Sequence, residues 1–411
     1  MKFFHLSDLH FGKQLHGYDL IEEQQKIIQD VIEAARVEEP DAIVIAGDVY
    51  DKSVPSGSAM KLLEELFLGL DALSEERKRE SNVLSQKQKS GKCFVEQKAI
   101  EVLLIAGNHD SAPRLDYGSS FLERHHIHIA VCPPQEESER LQKVTLTDEV
   151  GEVNFYLLPY VSTGMLRTLA GDEQLHSADD AVRFLLEREQ IDWSERNVLV
   201  SHQFYLSGGT EPKQCDSESP RLYVGGLDGV NTTTVEKFDY VALGHIHSPQ
   251  KLGLEHIHYC GTPYAYSVSE AGQEKSITVV EMGAKGELSL CYLPFEPLRK
   301  VCKLTGKLQE LGEMAGENGE KKCQNYVSIT LTDEEPLEAP KDYLEHYYER
   351  ILEIKIDNVR SRRIFEEEIS DMQELTPLEA FRTFFADTAG REMTEQEETI
   401  LQDILDEIEC S

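Results

Sequence analysis

The sequence predicts a layered α/β fold, followed by a small α+β domain and a C-terminal tail of two helices. In the first two-thirds of the chain, short apolar runs that end in polar clusters alternate with amphipathic stretches, a pattern typical of strands covered by helices. The chain has 411 residues, which is enough for two domains and an appendage. The apolar runs are Lys2–Leu6, Ala42–Ala46, Val102–Ala106, Asn197–Val200 and Tyr240–Leu243.

Amphipathic helices are predicted between these strands. Apolar residues recur at helical spacing over Ile21–Arg36, Met60–Leu73 and Ala181–Glu189. The stretch Ser74–Lys98 carries seven basic residues among Ser, Gln and Gly, and it is predicted to be a solvated insertion. It would enter its strand from the amino end, whereas ligand sites lie at the carboxyl ends of such sheets. A surface loop is therefore favoured over a DNA-binding loop.

The pattern changes beyond residue 288. Asn325–Leu331 alternates apolar and polar residues, Gly312–Gly319 is predicted to be a loop, and a helix is predicted near Lys341–Ile351. The predicted division is a main domain over 1–288, an α+β domain over 289–365 and an acidic helical tail over 366–411.

Two capping boxes, Thr376–Glu379 and Thr394–Glu397, with Gly390 between them, predict the two helices of the tail. Each helix would carry an apolar stripe on an acidic surface, and two short helices cannot bury both stripes alone. The stripes either pack on their own domain or dock a partner helix, and the residues by themselves favour neither alternative.

The chain is strongly acidic. It has 41 Lys and Arg against 76 Asp and Glu, a net charge of −35. The tail holds 15 acidic residues against Arg382 and Arg391, which accounts for −13 of that total. A surface of this charge repels free DNA, so a DNA-binding role would require metal ions, local basic patches or a partner chain to neutralise the backbone.

Cysteine usage and hydropathy limit the possible compartments. The eight cysteines are scattered without a Cys-x-x-Cys pair, so neither a zinc ribbon nor a disulfide framework is indicated. We identify no export signal and no run approaching membrane-spanning length. Reduced thiols in the cytoplasm, without a membrane partner, are the expectation.

Five predicted strand ends carry the same chemistry. In extended chain, residues two apart point the same way, so Asp8 with His10, and His245 with His247, can each converge on one point. All five clusters would meet at the carboxyl edge of the sheet. The clusters are Ser7–His10, Gly47–Asp51, Gly107–Asp110, Ser201–His202 and Gly244–His247.

These residues predict two divalent metal ions. Carboxylate, carboxamide and imidazole ligands without thiolate favour manganese or iron over structural zinc. Two ions about 3.5–4 Å apart can generate a hydroxide and stabilise an in-line displacement at phosphorus. His109 is then free to protonate the leaving oxygen or stabilise its charge. The expected ligands are Asp8, His10 and His247 for one ion and Asn108, His202 and His245 for the other, with Asp48 offering one oxygen to each.

Other histidines are predicted to be structural. No carboxylate motif accompanies the cluster at 125–128, and His256 and His258 alternate on a strand that leads away from the site. His5 lies inside the first strand, where it is expected to be packed.

The order DxH, GDxxD, GNHD, SH and GHxH resembles the calcineurin-like metallophosphoesterase superfamily. Longer strings resemble one branch, the SbcD family of bacterial nuclease subunits, which are relatives of the double-strand-break repair nucleases. The strings are GNHDSAPRLDYGSSFL at Gly107–Leu122, SHQFY at Ser201–Tyr205, VGGLDGVN at Val224–Asn231, YVALGHIHSPQ at Tyr240–Gln250 and GTPYAYSVSE at Gly261–Glu270.

The resemblance implies a β-sandwich flanked by helices, a capping domain that helps present DNA, and metal roles for the residues named above with a catalytic role for His109. It also implies a manganese-dependent nuclease with 3′–5′ exonuclease action on duplex ends and endonuclease action on single strands and hairpins. Such subunits act in DNA recombination, repair and replication with an SbcC-type ATPase, whose coiled coil the tail would grip. Dimerisation is expected through helices near Met60–Leu73 and Leu115–Arg124.

Three alternatives remain. A protein phosphatase of the same superfamily usually carries GNHE and GDxxDRG, whereas Asp110 and Lys52 occupy those places here. A cyclic-nucleotide phosphodiesterase is possible, but neither enzyme accounts for the extra domain and tail. An inactive scaffold that tethers an ATPase is disfavoured, because the ligand set is complete.

Overall fold

A computed structural model describes residues 1–87, 99–171, 175–218, 229–316 and 322–359, with a few positions between 378 and 401. The strands are β1 Lys2–Leu6, β2 Gln14–Leu15, β3 Tyr18–Asp19, β4 Ala42–Ala46, β5 Glu101–Ile105, β6 Ile127–Ala130, β7 Gln142–Thr147, β8 Glu152–Leu158, β9 Arg196–His202, β10 Tyr205–Leu206, β11 Val230–Asn231, β12 Tyr240–Gly244, β13 Gln250–Leu252, β14 Leu254–Tyr259, β15 Ser276–Met282, β16 Leu288–Pro294, β17 Val301–Gly306, β18 Cys323–Leu331 and β19 Tyr348–Ile356. The α-helices are α1 Ile21–Glu38, α2 Gly57–Lys87, α3 Ala112–Leu115, α4 Ser119–Leu122, α5 Arg167–Ala170, α6 Ala178–Arg188, α7 Leu308–Gly316 and α8 Pro340–Leu344.

Two six-stranded sheets form the first part of the chain. Their strand orders are β16-β15-β1-β4-β5-β6 and β13-β14-β12-β9-β8-β7. The central strands are parallel within each sheet, so their carboxyl ends lie at one edge. The sheets face each other across an apolar core in which Phe3 meets Phe155 edge to face at 5.3 Å. This is the predicted layered α/β sandwich.

Helices cover the outer faces of the sandwich. Helix α1 buries Ile27, Ile28 and Val31, and the apolar side of α6 packs with strands of the second sheet. Helix α6 begins at Ala178, three residues before the predicted start. It is preceded by a capping box, in which the side chains of Ser177 and Asp180 each accept a hydrogen bond from the other's backbone N–H.

Helix α2 corrects the prediction of a solvated insertion from residue 74. The helix continues to Lys87, and both Ser74 and Arg77 are buried. The Arg77 guanidinium donates to the carbonyls of Ala35 (2.5 Å) and Pro40 (3.0 Å), at the end of α1. A basic residue that suggested solvent exposure therefore satisfies buried carbonyls. Residues 88–98 of the predicted insertion lie outside the described residues.

The chain divides into two compact units, Met1–Cys302 and Lys303–Ser411. Strand β16 lies beyond the boundary predicted after residue 288, yet it pairs with β15 along its whole length, from Leu288 with Met282 to Pro294 with Ser276. It is thus an edge strand of the first sheet.

A three-stranded sheet in the order β17-β18-β19 and the helices α7 and α8 follow. Two local predictions here are wrong. Gly312 lies within α7 rather than in a loop. A glycine suits this position because an added Cβ would come within 2.7 Å of the Tyr343 hydroxyl on α8. The helix predicted near Lys341–Ile351 ends at Leu344, and β19, which pairs in parallel with β18, begins at the buried Tyr348.

In the tail, the second capping box is confirmed: Thr394 donates its N–H to Glu397 Oε2 at 2.8 Å, and the Glu397 N–H reaches Thr394 Oγ1 at 3.4 Å. The first box, at 376–379, lies outside the described residues apart from Leu378. Among the described residues, no helix has the length and apolarity needed to cross a bilayer.

Candidate metal centre

The predicted site residues meet where the carboxyl ends of strands from both sheets come together. Backbone hydrogen bonds join the loops: the Asp8 N–H donates to the Gly47 carbonyl at 2.9 Å, and the His10 N–H donates to the Asp48 carbonyl at 3.0 Å. The Asp8 carboxylate accepts the His245 N–H at 3.1 Å, which links the two sheets. The convergence predicted from strand ends is therefore observed.

Glycines allow this close approach. A Cβ at Gly107 would lie 2.1 Å from Asp48 Oδ1, and one at Gly244 would lie 1.9 Å from the Ala46 carbonyl oxygen. Non-glycine residues also adopt left-handed backbone here, with φ of 51° at Asp8, 50° at Asp48 and 99° at His245. Such conformations cost free energy and concentrate at functional sites. The strand pattern had given no indication of them.

Three groups of side chains bring possible ligand atoms within 4.8 Å of one another: Asp8 with His10 and His247, His10 with Asp48 and His109, and Asp48 with His202 and His245. The first and third groups correspond to the two predicted sets. Asn108 Oδ1 joins the third, at 3.2 Å from His202 Nε2 and 3.0 Å from His245 Nδ1.

Asp48 lies between the two sets. Its Oδ2 is 3.3 Å from His202 Nε2 and 3.9 Å from His10 Nε2, so the same oxygen faces both sets. Its Oδ1 accepts the His109 N–H at 2.9 Å. The prediction of one oxygen for each set did not include this backbone donor.

The donor chemistry fits divalent cations. Asp8, His10, Asp48, His202 and His247 are all at most 2% exposed. In the first set, His10 Nε2 lies only 3.2 Å from His247 Nε2. Two carboxylates taken out of water with several imidazoles are stabilised by a metal ion at their centre. No thiolate belongs to the three groups, as expected for a hard or borderline metal.

Burial and charge shift the acidities within the site. Burial alone would raise the pKa of Asp48, but the neighbouring charge and hydrogen bond of His202 hold it well below its usual range. Burial alone would lower the pKa of His202, but the charge and hydrogen bond of Asp48, together with the charge of Asp8, raise it to about 9. Burial raises the pKa of Asp8 and lowers that of His10. The pKa shifts of Asp48 and His202 both favour an ion pair between these two residues, whose Oδ2 and Nε2 lie 3.3 Å apart.

His109 is oriented by the loop that follows Asp48. Its Nδ1 is 2.8 Å from the Asp51 carbonyl oxygen, which can only accept, so Nδ1 carries a proton. Its Nε2 lies 3.9 Å from Asp48 Oδ2 and points toward the site. Because Nδ1 is already protonated, Nε2 donates a proton only when the ring is an imidazolium.

Asp110 holds the same loops together. Its carboxylate accepts the backbone N–H groups of Gly107, Val49 and Tyr50 at 2.9, 3.1 and 3.0 Å. Burial and the charge of Asp48 raise the pKa of Asp110 to about 6.

Several supporting residues were missed by sequence reasoning. The Gln24 amide donates to the His10 carbonyl at 2.7 Å, and the Tyr266 hydroxyl donates to the Leu9 carbonyl at 2.5 Å. Ser217 and Glu270 contact His247 from behind. The string at Gly261–Glu270 was the one signal for this support, and it named no contact.

The histidines outside the site make other contacts. His126 and His128 both pair with Glu101, at 2.9 Å each, a carboxylate from another strand that no local sequence motif indicated. That trio is not among the metal-ligand groups of the described residues. His5 Nδ1 pairs with the Tyr240 hydroxyl at 2.9 Å inside the sandwich.

Comparisons with known proteins agree with this geometry. The family model of calcineurin-like phosphoesterase matches residues 1–249, and that of the type 5 capsule protein repressor C-terminal domain matches residues 294–389. The SbcD subunit of the SbcCD nuclease of Staphylococcus epidermidis is 31% identical over 354 residues, covering 86% of this chain and 84% of that protein. The protein of the same name from Staphylococcus saprophyticus is 28% identical over 407 residues, covering 98% of each. Among solved structures, a dimetal phosphatase from Danio rerio aligns with a TM-score of 0.36 and 12% identity, over 72% of this chain and 97% of that chain.

Proposed function

The chain belongs to the calcineurin-like phosphoesterase family and, within it, to the SbcD family of nucleases, and we therefore propose that it is the nuclease component of an SbcCD-type complex. It hydrolyses DNA phosphodiester bonds as a 3′–5′ exonuclease on duplex ends and as an endonuclease on single strands and hairpins. Its place is in DNA recombination, repair and replication. The observation that carries the proposal is the position of Asp48 Oδ2 between two sets of buried ligand atoms.

Two divalent ions are proposed, with Asp48 shared between them. Donors limited to oxygen and imidazole nitrogen support manganese. When bound, the ions supply an activated water and offset the charge that develops on the phosphate oxygens. The proposed ligands are Asp8, His10 and His247 for one ion and Asn108, His202 and His245 for the other.

The protein's own groups do the remaining work. The hydrogen bonds from the backbones of His109 and His245 hold the Asp48 and Asp8 carboxylates in fixed orientations. His109 supplies a proton to the leaving oxygen from Nε2 while Nδ1 stays bonded to the Asp51 carbonyl. This requires the imidazolium form of the ring in the enzyme–substrate complex.

The partner is proposed to be an SbcC-type ATPase with a coiled coil, which binds the acidic tail over 366–411. The domain predicted over 289–365, without the strand β16 that belongs to the first sheet, is proposed to be the capping domain that helps present DNA. A second copy of the chain is proposed to pair along α2 and the segment of α3 and α4, where Leu68, Tyr117 and Phe121 are exposed. A partner also offers a way to neutralise the DNA backbone beside a chain of charge −35.

The test is cleavage of end-labelled linear and hairpin DNA in manganese, with and without the ATPase, beside an Asp48→Ala variant. We expect cutting that needs manganese and that Asp48→Ala abolishes together with metal binding. Activity retained in Asp48→Ala would contradict the metal site. If DNA stays intact in every condition while small phosphoesters are hydrolysed, the chain is a phosphoesterase of another substrate class.

A further inference from the structure

A buried polar network contacts His247 on the side of its ring that faces away from the metal site. Its Nε2 faces the site, 3.9 Å from Asp8 Oδ1, while its Nδ1 lies 2.6 Å from the Ser217 hydroxyl. Ser217 precedes Glu218, whose carboxylate accepts the His247 N–H at 2.9 Å. The segment carrying these two residues thus fixes both the ring and the backbone of His247.

The protons of this network can be assigned from the partners. The Ser217 hydroxyl donates its single proton to Glu270 Oε1, at 2.5 Å, because a carboxylate can only accept. Ser217 must therefore accept from His247, which places a proton on Nδ1 and leaves Nε2 with a free lone pair. That tautomer is the one that a metal ligand bonded through Nε2 requires.

Glu270 is kept as a carboxylate by a buried lysine. Glu270 is 0% exposed, and its Oε2 accepts from Lys275 Nζ at 2.6 Å and from the Thr262 hydroxyl at 2.9 Å. Lys275 Nζ also donates to the His247 carbonyl at 2.9 Å. The same ion pair therefore reaches His247 twice, through Ser217 to the ring and directly to the backbone.

We infer that Ser217, Glu270 and Lys275 are positioning residues for metal binding, with the Ser217 hydroxyl as the bridge that locks His247 in its Nε2-ligating tautomer. This inference rests on the proposed role of His247 as a ligand. In this arrangement the ion pair of Glu270 and Lys275 acts on the proposed imidazole ligand through the hydroxyl that lies between them. Ser217 comes from one segment and the pair Glu270 and Lys275 from another, and the metal motifs include neither.

The test is the manganese affinity of the full, metal-free chain, measured by isothermal titration. Ser217→Ala is expected to weaken binding about 10- to 100-fold, the usual effect of losing a group that orients a ligand. Ser217→Thr keeps the hydroxyl and is expected to restore most of the affinity. Ser207→Ala, on the same connection but with a hydroxyl outside the network, is the matched control and should bind as the unsubstituted chain does.

A double variant, Glu270→Gln with Lys275→Met, removes both charges together and avoids leaving one of them buried and unpaired. It is expected to lose affinity as Ser217→Ala does, with folding checked by circular dichroism. Affinity unchanged in Ser217→Ala, or in the folded double variant, would overturn the inference. His247→Ala distinguishes the failure of this inference from the failure of the proposed metal site. If His247→Ala also binds manganese normally, the proposed metal site is wrong. If manganese affinity falls in His247→Ala but in none of the other variants, only the positioning network is rejected.

Discussion

His109 differs from the other site histidines in its access to solvent. Its side chain is 23% exposed, against 2% or less for His10, His202 and His247. We expect His109→Gln to slow DNA cleavage by about 100-fold, the effect of losing a general acid. Manganese affinity should change little, because His109 is not among the proposed ligands.

The measurement pairs single-turnover cleavage rates with manganese titration on the same preparation. His109 also belongs to a group with His10 and Asp48, so a ligand role is the competing explanation. An affinity loss as large as that of His247→Ala would favour that explanation over proton transfer.

The location of the site could be predicted from the sequence, but its detailed chemistry could not. Asp8, Asp48 and Asn108 follow apolar strands directly, and the local pattern is enough to place them at one edge. Ser217 lies 30 residues from His247 and 53 residues from Glu270 in the sequence, and no spacing rule reports contacts over such separations. The orientation of the Asp48 carboxylate depends on a backbone N–H of His109, which a residue pattern does not reveal.

Buried histidines between the sheets are expected to make the fold sensitive to acid. Burial lowers the pKa of His258 to about 4 and that of His5 well below its usual value. The unfolded chain takes up these protons near pH 6.5 and the folded chain does not, so stability falls as the pH drops from 6.5 toward 4. For His258 the loss amounts to about 3 kcal/mol over that range.

Urea unfolding in a chelator between pH 7 and 5 measures this loss. His258→Gln removes one of the titrating groups and should make the slope smaller, while the contribution of His5 remains. His256→Gln, a partly exposed neighbour on the same strand, should keep it. Identical slopes in the unsubstituted chain and in His258→Gln would contradict the assignment.

At the scale of elements, helix α2 shows how a basic residue can serve the interior. Arg77 is 7% exposed and supplies donors to two carbonyls near the end of α1. We expect Arg77→Met to lower the free energy of unfolding by about 1 to 3 kcal/mol, because the Pro40 carbonyl loses its donor in a buried position.

Urea unfolding tests this expectation against Arg79→Ala, an exposed basic residue on the same helix. That control should stay within about 0.5 kcal/mol of the unsubstituted chain. An equal effect of the two substitutions would indicate that helix propensity matters here, rather than the contacts of Arg77.

The elements that were predicted well are those with a clear local sequence pattern. Lys2–Leu6 and Ala42–Ala46 are short apolar runs, and they form strands with the predicted bounds. The error at Tyr348 arose where a short helix is followed within a few residues by a strand, so one apolar pattern spans both. The pairing of β19 with β18, which decides the outcome, is a contact between distant segments.

At the scale of the whole molecule, the acidic tail is the part proposed to bind the ATPase. Deleting residues 372–411 is expected to abolish co-purification with the ATPase, because the coiled coil loses its docking helices. Manganese affinity should remain, since every proposed ligand lies between Asp8 and His247. Co-expression with the ATPase followed by affinity capture measures the first effect, and titration measures the second. A complex that survives the deletion would contradict the proposed contact.

The joining of two sheets at one edge also bears on biosynthesis. The proposed ligands begin at Asp8 on the first sheet and end at His247 on the second, and the strand β15, which pairs with β1, follows still later. If these residues hold the ions as proposed, a chain still attached to the ribosome completes its metal centre only after His247 has emerged, when strands of both sheets have been made.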